Sequence, residues 1–365
     1  MTSMTFAVVS RPIPPRAPPP KLRRPLWRLL FGDALSAAIT LGTIALIAML
    51  LPALKWATVD ATWHAATPSA CQGAGACWAF IGAKLRLILF GLYPPTQQWR
   101  PILVIAITLL MVLASLSPRV WGGRLALLWG GAILVMLTLM YGGFAGLAFV
   151  PTSKWGGMPV TLLLSVLSLA FAFPLSIALA LGRQSDLPVA RGLSILFIEI
   201  VRGIPLVAML FVAAILLPLF LPAGWTIDKL GRTLAALTIF AAAYLAEVLR
   251  GGLQGLGAGQ AEAAQALGIP YWRMIWRIIL PQAIQKVIPP LTNTAVVMVK
   301  DTALVMIVGV FDMLGAGRAA ATDPAWPAPY TETYMFVATM YFSICFGITI
   351  YAQWLERGVR KRSHG

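Results

Sequence analysis

Chemistry in this chain has to come from few residues. Of its 365 residues only 11% are charged, while 59% are hydrophobic. Several of the charges sit inside apolar stretches. Lys300 and Asp301 stand side by side in the otherwise apolar segment 287–310, followed by Thr302. An ionisable group at membrane depth is costly, so each such position is a functional candidate by default. The pair suits a zwitterion, with Asp301 for an ammonium and Lys300 for a carboxylate. The competing reading is that one or both pair with Glu or Arg on neighbouring helices and hold a bundle together. Adjacent helical residues point about 100° apart, which argues against both facing one ligand.

Two further pairs have helical spacing. Glu199 and Arg202 are three positions apart, as are Glu247 and Arg250, so each reads as an ion pair within one helix. Gly142 and Gly146 have the small-xxx-small spacing of a helix-packing seam. Catalytic constellations are missing. The two histidines, His64 and His364, fall in a loop and at the C-terminus, and Cys71, Cys77 and Cys345 form no CxxC or Cys/His cluster, which excludes a structural zinc site. No G-x-S-x-G, H-E-x-x-H or phosphate-cradling G-x-x-x-x-G-K-[ST] occurs. The run Gly255-Leu256-Gly257-Ala258-Gly259 lacks the strand and acidic partner of a dinucleotide site and reads as a flexible loop. The chain therefore binds no cofactor or metal of its own on this reading, and transport outranks catalysis.

The elements that position these residues must be membrane helices, because so few polar residues cannot cover a soluble domain. Stretches of about 20 apolar residues give eight spans: 34–54, 101–118, 125–153, 155–182, a fifth from about 193 to 227, 233–250, 287–310 and 333–355. The segment 78–93 contains Lys84 and Arg86 and ends at Pro94-Pro95; it is too short and charged to span, and reads as a helix lying on the outer surface. Segments 1–27 and 357–365 read as a Pro/Arg-rich tail and a basic tail. With both termini inside, inner segments carry 18 Lys and Arg and outer ones eight, the asymmetry expected of an inner-membrane protein. The net charge of +16 thus reflects the membrane, not a nucleic-acid partner. Cys71 and Cys77 lie in the outer loop 55–100 beside Trp63 and Trp78; a disulfide and two reduced thiols are both compatible with that placement.

The segment 251–286 is the most informative. Residues 261–267 are mostly strong helix formers, Gly268 suits a left-handed stop, and Pro270 suits the start of a second helix. On that helix Trp272 and Trp276 share one face, with Arg273 and Arg277 on the next. The pattern Glu262-Ala263-Ala264, three residues ending at Leu267, Gly268, nine residues, then Ile278-x-Leu280-Pro281 resembles the EAA loop of ABC importer permeases. Glu199-Ile200-Val201-Arg202-Gly203-Ile204-Pro205-Leu206 resembles the RGTPL stretch of polar amino acid permeases, with Ile204 for the usual threonine. Ala243 to Gly252, Pro281-Gln282-Ala283 and Lys300-Asp301-Thr302-Ala303-Leu304 resemble further motifs of that family, Ala303 standing for the more usual serine. The N-terminal spans, with Tyr93-Pro94-Pro95 and Trp99-Arg100-Pro101, look like the M-type subunit of general L-amino acid transporters.

The resemblance implies an all-α, type I ABC importer transmembrane subunit: an N-terminal membrane extension over 28–157 and a five-helix core over 158–356. It implies partners as well: ATPase subunits that hold ATP and Mg, a second and different permease subunit, a periplasmic binding protein, L-amino acids and membrane lipid. In the family the EAA loop docks on the ATPase, which gives Glu262, Ala263, Ala264, Leu267, Gly268, Ile278, Leu280 and Pro281 an ATPase-coupling role. Lys300, Asp301 and Thr302 are the substrate-pathway candidates. An ion-driven secondary transporter is the runner-up.

Overall fold

The computed structural model describes residues 26–362, apart from 66, 74, 118, 119, 121, 223 and 328. The tail at 1–25 lies outside the described residues. Two compact units form, one ending at Ala61 and the other beginning at Thr62. Among the described residues there is no β-strand, only isolated bridges at Thr62–Cys77 and Gly157–Asp312.

The first unit holds α1 (Ala34–Thr58), preceded by a turn of helix at Leu26–Phe31. Asp33 caps α1, its carboxylate accepting from the Ser36 amide at 2.7 Å. At 25 residues it is about 37 Å long. None of its side chains is buried, as expected where an all-apolar helix meets lipid.

The second unit contains α2 (Trp78–Phe90), α3 (Trp99–Ser115), α4 (Gly123–Tyr141), α5 (Gly157–Arg183), α6 (Pro188–Gly203), α7 (206–220), α8 (Lys229–Gln254), α9 (Gly259–Ala266), α10 (271–286), α11 (Ile288–Asp301), α12 (Met313–Ala321) and α13 (Tyr330–Arg362). Helices α5 and α8 form its axis. Alanines 236, 241, 242, 243 and 246 are buried along α8, and their small side chains let it lie close to Leu163, Leu164, Leu167 and Ala172 of α5. Among the described residues seven helices are long and apolar enough to cross a membrane, or eight if α6 and α7, bent by 102° at their break, count as one span.

Four features depart from the sequence reading. The third span stops at Tyr141 rather than running to 153: Gly142, Gly143 and Gly146 all take positive φ in the loop that follows. Gly142 and Gly146 therefore form no packing seam, since neither is helical. The fifth span is not one continuous helix: Pro205, a residue type expected to kink a span, disfavours helical backbone at Ile204, whose ψ is 130°. Helix α13 continues to Arg362, so 357–362 is helix rather than tail. Finally, α2 is packed on other helices along one face, while Gly82, Ala83, Leu85 and Arg86 stay exposed on the other. Thirteen residues reach only about 20 Å, but Phe80, Ile81 and Ile88 are buried in a cluster with Met313 and Ala320 of α12 and Val337 of α13, and Lys84 pairs with Asp323. Cys71 and Cys77 are joined in a disulfide, Cα atoms 5.5 Å apart, and the Cys77 amide donates to Glu332 at 2.8 Å.

The end of α2 meets the start of α5 backbone to backbone. Gly91 (φ +59°) faces Gly156, and a Cβ on Gly91 would lie 2.5 Å from the Gly156 Cα. The Gly157 amide then donates to Phe311 at 3.0 Å, tying in the strand-like approach to α12.

Two prolines inside helices come with π turns. Pro218 follows the turn Val212–Leu216, and Pro281 follows Ile275–Ile279. A helical proline leaves the carbonyl four residues back without its donor. For Pro218 that carbonyl is Ala214, and the Arg232 guanidinium donates to it.

Candidate functional site

The segment 255–286 closes one end of the bundle as a helical hairpin. Helix α9 ends in a Schellman cap: the Gly268 amide donates to Gln265 at 2.9 Å and the Ile269 amide to Ala264 at 3.0 Å. Gly268 takes φ +68°, where any side chain is strained. Ala264 is buried on Met274 and Ile275 of α10, which fixes the angle between the helices. Glu262 and Ala263 face outward, and Leu267 at the tip is 78% exposed. Ile278 and Leu280 anchor the hairpin to the bundle: Leu280 is buried with Leu249 and Leu253 of α8, and Ile278 packs beside Ala264. Pro281 sits outside that core, at the end of the π turn. At the hairpin base Lys286 Nζ donates to the Gly255 carbonyl at 2.7 Å. The geometry is a rigid, alanine-faced knob carrying one carboxylate and one apolar tip.

Above the hairpin lies a cluster of charges from three helices. Glu247 of α8 accepts from Arg183 of α5 at 2.7 Å, from Arg250 at 3.0 Å, and faces Arg202 of α6 at 3.5 Å. Arg183 also reaches Glu199 at 3.0 Å. The Glu199–Arg202 pair expected from spacing does not form; each residue pairs with another helix. Their shared helix ends at Gly203, one residue beyond Arg202, which leaves the Arg202 side chain turned to α8, where it also lies over the Tyr244 ring. Glu247 and Arg250 are paired within α8 and belong to the larger cluster.

Lys300 and Asp301 close α11, where the chain tightens into the 3₁₀ turn Thr302–Val308. Lys300 is exposed and Asp301 half-buried, and neither takes part in an ion pair among the described residues. Thr302 differs from both. It is fully buried, donates to the Val299 carbonyl at 2.7 Å and lies 3.4 Å from the Tyr341 hydroxyl.

Two buried charges were invisible to spacing. Arg100 is completely enclosed, donating to the Ala148 carbonyl at 2.8 Å and to the Tyr93 hydroxyl at 3.2 Å. It staples the loop after α4 to the start of α3. Asp312 caps α12, accepting from Gly315 at 2.8 Å, Leu314 at 3.1 Å and the Tyr341 hydroxyl at 2.8 Å. Burial pushes its carboxyl up to about 6, against the pull of those donors. Their signal, a lone charge beside loop prolines or before an alanine-rich helix, looks like any surface residue. Among the described residues no cluster of His, Cys, Asp or Glu has metal-binding geometry.

Residues 172–361 match the family of binding-protein-dependent transport system inner membrane components. The chain belongs to this family. The match covers the knob, the charge cluster and α11. The permease is 42% identical, over 363 residues, to the inner membrane amino-acid ABC transporter permease protein YhdY of Escherichia coli, covering 97% of this chain and 98% of that protein. It is 35% identical to the glutamate/glutamine/aspartate/asparagine transport system permease protein BztC of Rhodobacter capsulatus, covering 92% and 93%. The crystal structure of an amino acid ABC transporter with histidines is similar to 55% of this permease and 91% of that chain, at 29% identity and a TM-score of 0.49. The permease is a transport subunit, not an enzyme.

Proposed function

We propose that the permease carries L-amino acids inward across the inner membrane by alternating access, driven by separate ATPase subunits that bind ATP and Mg. The exposed knob at 259–268 is the docking element. A nucleotide can shift the conformational equilibrium only through contacts that differ between the two states, and the knob is the part of the fold built to make them. Glu262 and Leu267 meet the ATPase, Gly268 and Ala264 hold the knob's angle, and Ile278, Leu280 and Pro281 pass its movement to α8. Lys300 and Asp301, unpaired at the end of α11, border the substrate path. Both termini and the knob lie on the cytoplasmic side, and the disulfide loop lies outside, where a binding protein delivers substrate. A second, different permease subunit completes the path.

The observation that carries this reading is the combination of full-length similarity to amino-acid ABC transporter permeases with a knob whose tip is exposed and whose base is locked into the core. The test is purification of the full chain with its copurifying subunits, followed by ATP hydrolysis in vesicles supplied with the binding protein and individual amino acids. Hydrolysis stimulated by amino acids is expected. Copurification of no ATPase, or uptake that follows an ion gradient and ignores ATP, overturns the proposal.

A further inference from the structure

Arg183, Arg191 and Arg250 line a cavity of about 400 Å³ together with Gln184, Ile195 and Gln254. The lining has three guanidinium groups, two side-chain amides and no acid. The carboxylates nearby, Glu199 and Glu247, are taken up by Arg183, Arg202 and Arg250. Counting Asp186, which lines the neighbouring cavity, four arginines stand against three carboxylates, which still leaves net positive charge. Arg191 in particular is exposed, and its guanidinium has no partner among the described residues.

The position of the cavity says what kind of anion fits. Arg183 ends one membrane span and Gln254 ends another, while Arg191 stands in the first turn of the bent span that begins at Pro188. The cavity therefore lies where spans leave the hydrocarbon, at the level of lipid headgroups. Gln184 also lines a neighbouring cavity of about 640 Å³, whose other walls include Ile177, Leu181, Leu187 and Trp272. A charged basin thus adjoins a mainly apolar, tryptophan-walled one whose polar rim, Gln184 to Asp186, lies toward the basin in sequence, which is the shape of an amphiphile.

We infer that this cavity binds the phosphate of an anionic phospholipid, with an acyl chain in the adjoining apolar groove. Guanidinium groups grip phosphate oxygens bidentately, and the glutamine amides supply further donors. A zwitterionic lipid brings an ammonium into the same positive field and is disfavoured. The site goes beyond the transport reading: it concerns the lipid that holds α5, α6 and α8 together at the end bearing the knob.

The full chain in a neutral detergent provides the test, its thermal unfolding midpoint titrated with short-chain phosphatidylglycerol, short-chain phosphatidylcholine and inorganic phosphate. Phosphatidylglycerol is expected to raise the midpoint saturably and phosphatidylcholine to leave it flat. Inorganic phosphate, lacking the tail, needs about a hundredfold higher concentration. Arg191→Gln is expected to leave the lipid-free midpoint unchanged and to move the phosphatidylglycerol titration about tenfold to higher concentration, with Arg191→Lys recovering part of the shift. Equal responses to the two lipids, a titration unmoved by Arg191→Gln, or phosphate acting at the same concentration as phosphatidylglycerol would each overturn the assignment.

Discussion

Arg183, the last residue of α5, meets Glu247 of α8 at 2.7 Å across 64 positions of sequence. Glu247 is the shared acceptor of three arginines and its side chain is only 15% exposed. Glu247→Gln leaves those cations facing one another with their counter-charge and one of two acceptor oxygens gone, which costs about 3 kcal/mol. Glu247→Gln is expected to lower the unfolding midpoint of the solubilised chain by roughly 5 °C. Arg250→Ala removes contacts within one helix, to Glu247 and Gln254, worth about 0.5 kcal/mol each, and lowers it by a fraction of that. Equal shifts in the two variants contradict the shared-acceptor geometry.

The knob can be tested without disturbing the fold. Leu267 is 78% exposed and holds nothing in place. Leu267→Asp should therefore keep the unfolding midpoint and lose the copurifying ATPase. An unchanged yield of ATPase removes Leu267 from the docking surface.

Gly268 separates conformation from contact, because nothing lies within 4 Å of where its Cβ would be. Only its φ of +68° constrains it. Asparagine tolerates that region and valine does not. Gly268→Asn is expected to retain substrate-stimulated ATP hydrolysis, and Gly268→Val to lose most of it while still inserting into the membrane. Parallel losses in both variants would point to steric contact instead.

Lys300 and Asp301 form no ion pair among the described residues, so neutralising them breaks no salt link. Lys300→Gln and Asp301→Asn should leave the unfolding midpoint within about 1 °C, in the range of surface changes, and alter the apparent KM for amino acid uptake. A fall in the midpoint with unchanged uptake kinetics would make the pair structural.

Asp312 gives a pH dependence with a definite sign. Its carboxyl is raised from 3.8 to about 6 in the folded chain, so the folded state holds the proton more tightly than the unfolded one. The resulting stabilisation is complete below about pH 4 and is lost as pH rises through 6. Its size is about 2–3 kcal/mol. Asp312→Asn keeps one of the two acceptor oxygens, so it retains part of the cap, and it cannot titrate. The stability of the wild-type chain relative to this variant is therefore expected to fall between pH 4 and pH 7, as read from denaturation at each pH. A constant difference contradicts the buried carboxyl.

What the sequence makes legible is what is local. The Gly268 stop, the helices on either side of it and the outward Glu262 follow from propensity and capping over a dozen residues. The spans follow from run length. Partners chosen by tertiary packing are another matter. Three-residue spacing suggested Glu199 with Arg202, but Arg183 and Glu247 arrive from other helices and offer better geometry. The burial of one face of 78–90 depends on α12, more than 220 positions later, so its charges alone made it look like a surface helix. Pro205 marks a break in the fifth span, but the angle of 102° between its halves cannot be read from run length.

The contact between Gly91 and Gly156 leaves no space for even one methyl group, and with Gly157 it joins α2, α5 and the approach to α12 at a single point. Parts welded in this way share their motion. If α5 tilts, α2 and the disulfide at its start must travel with it, as a lever arm moving with the core rather than a frame standing beside it.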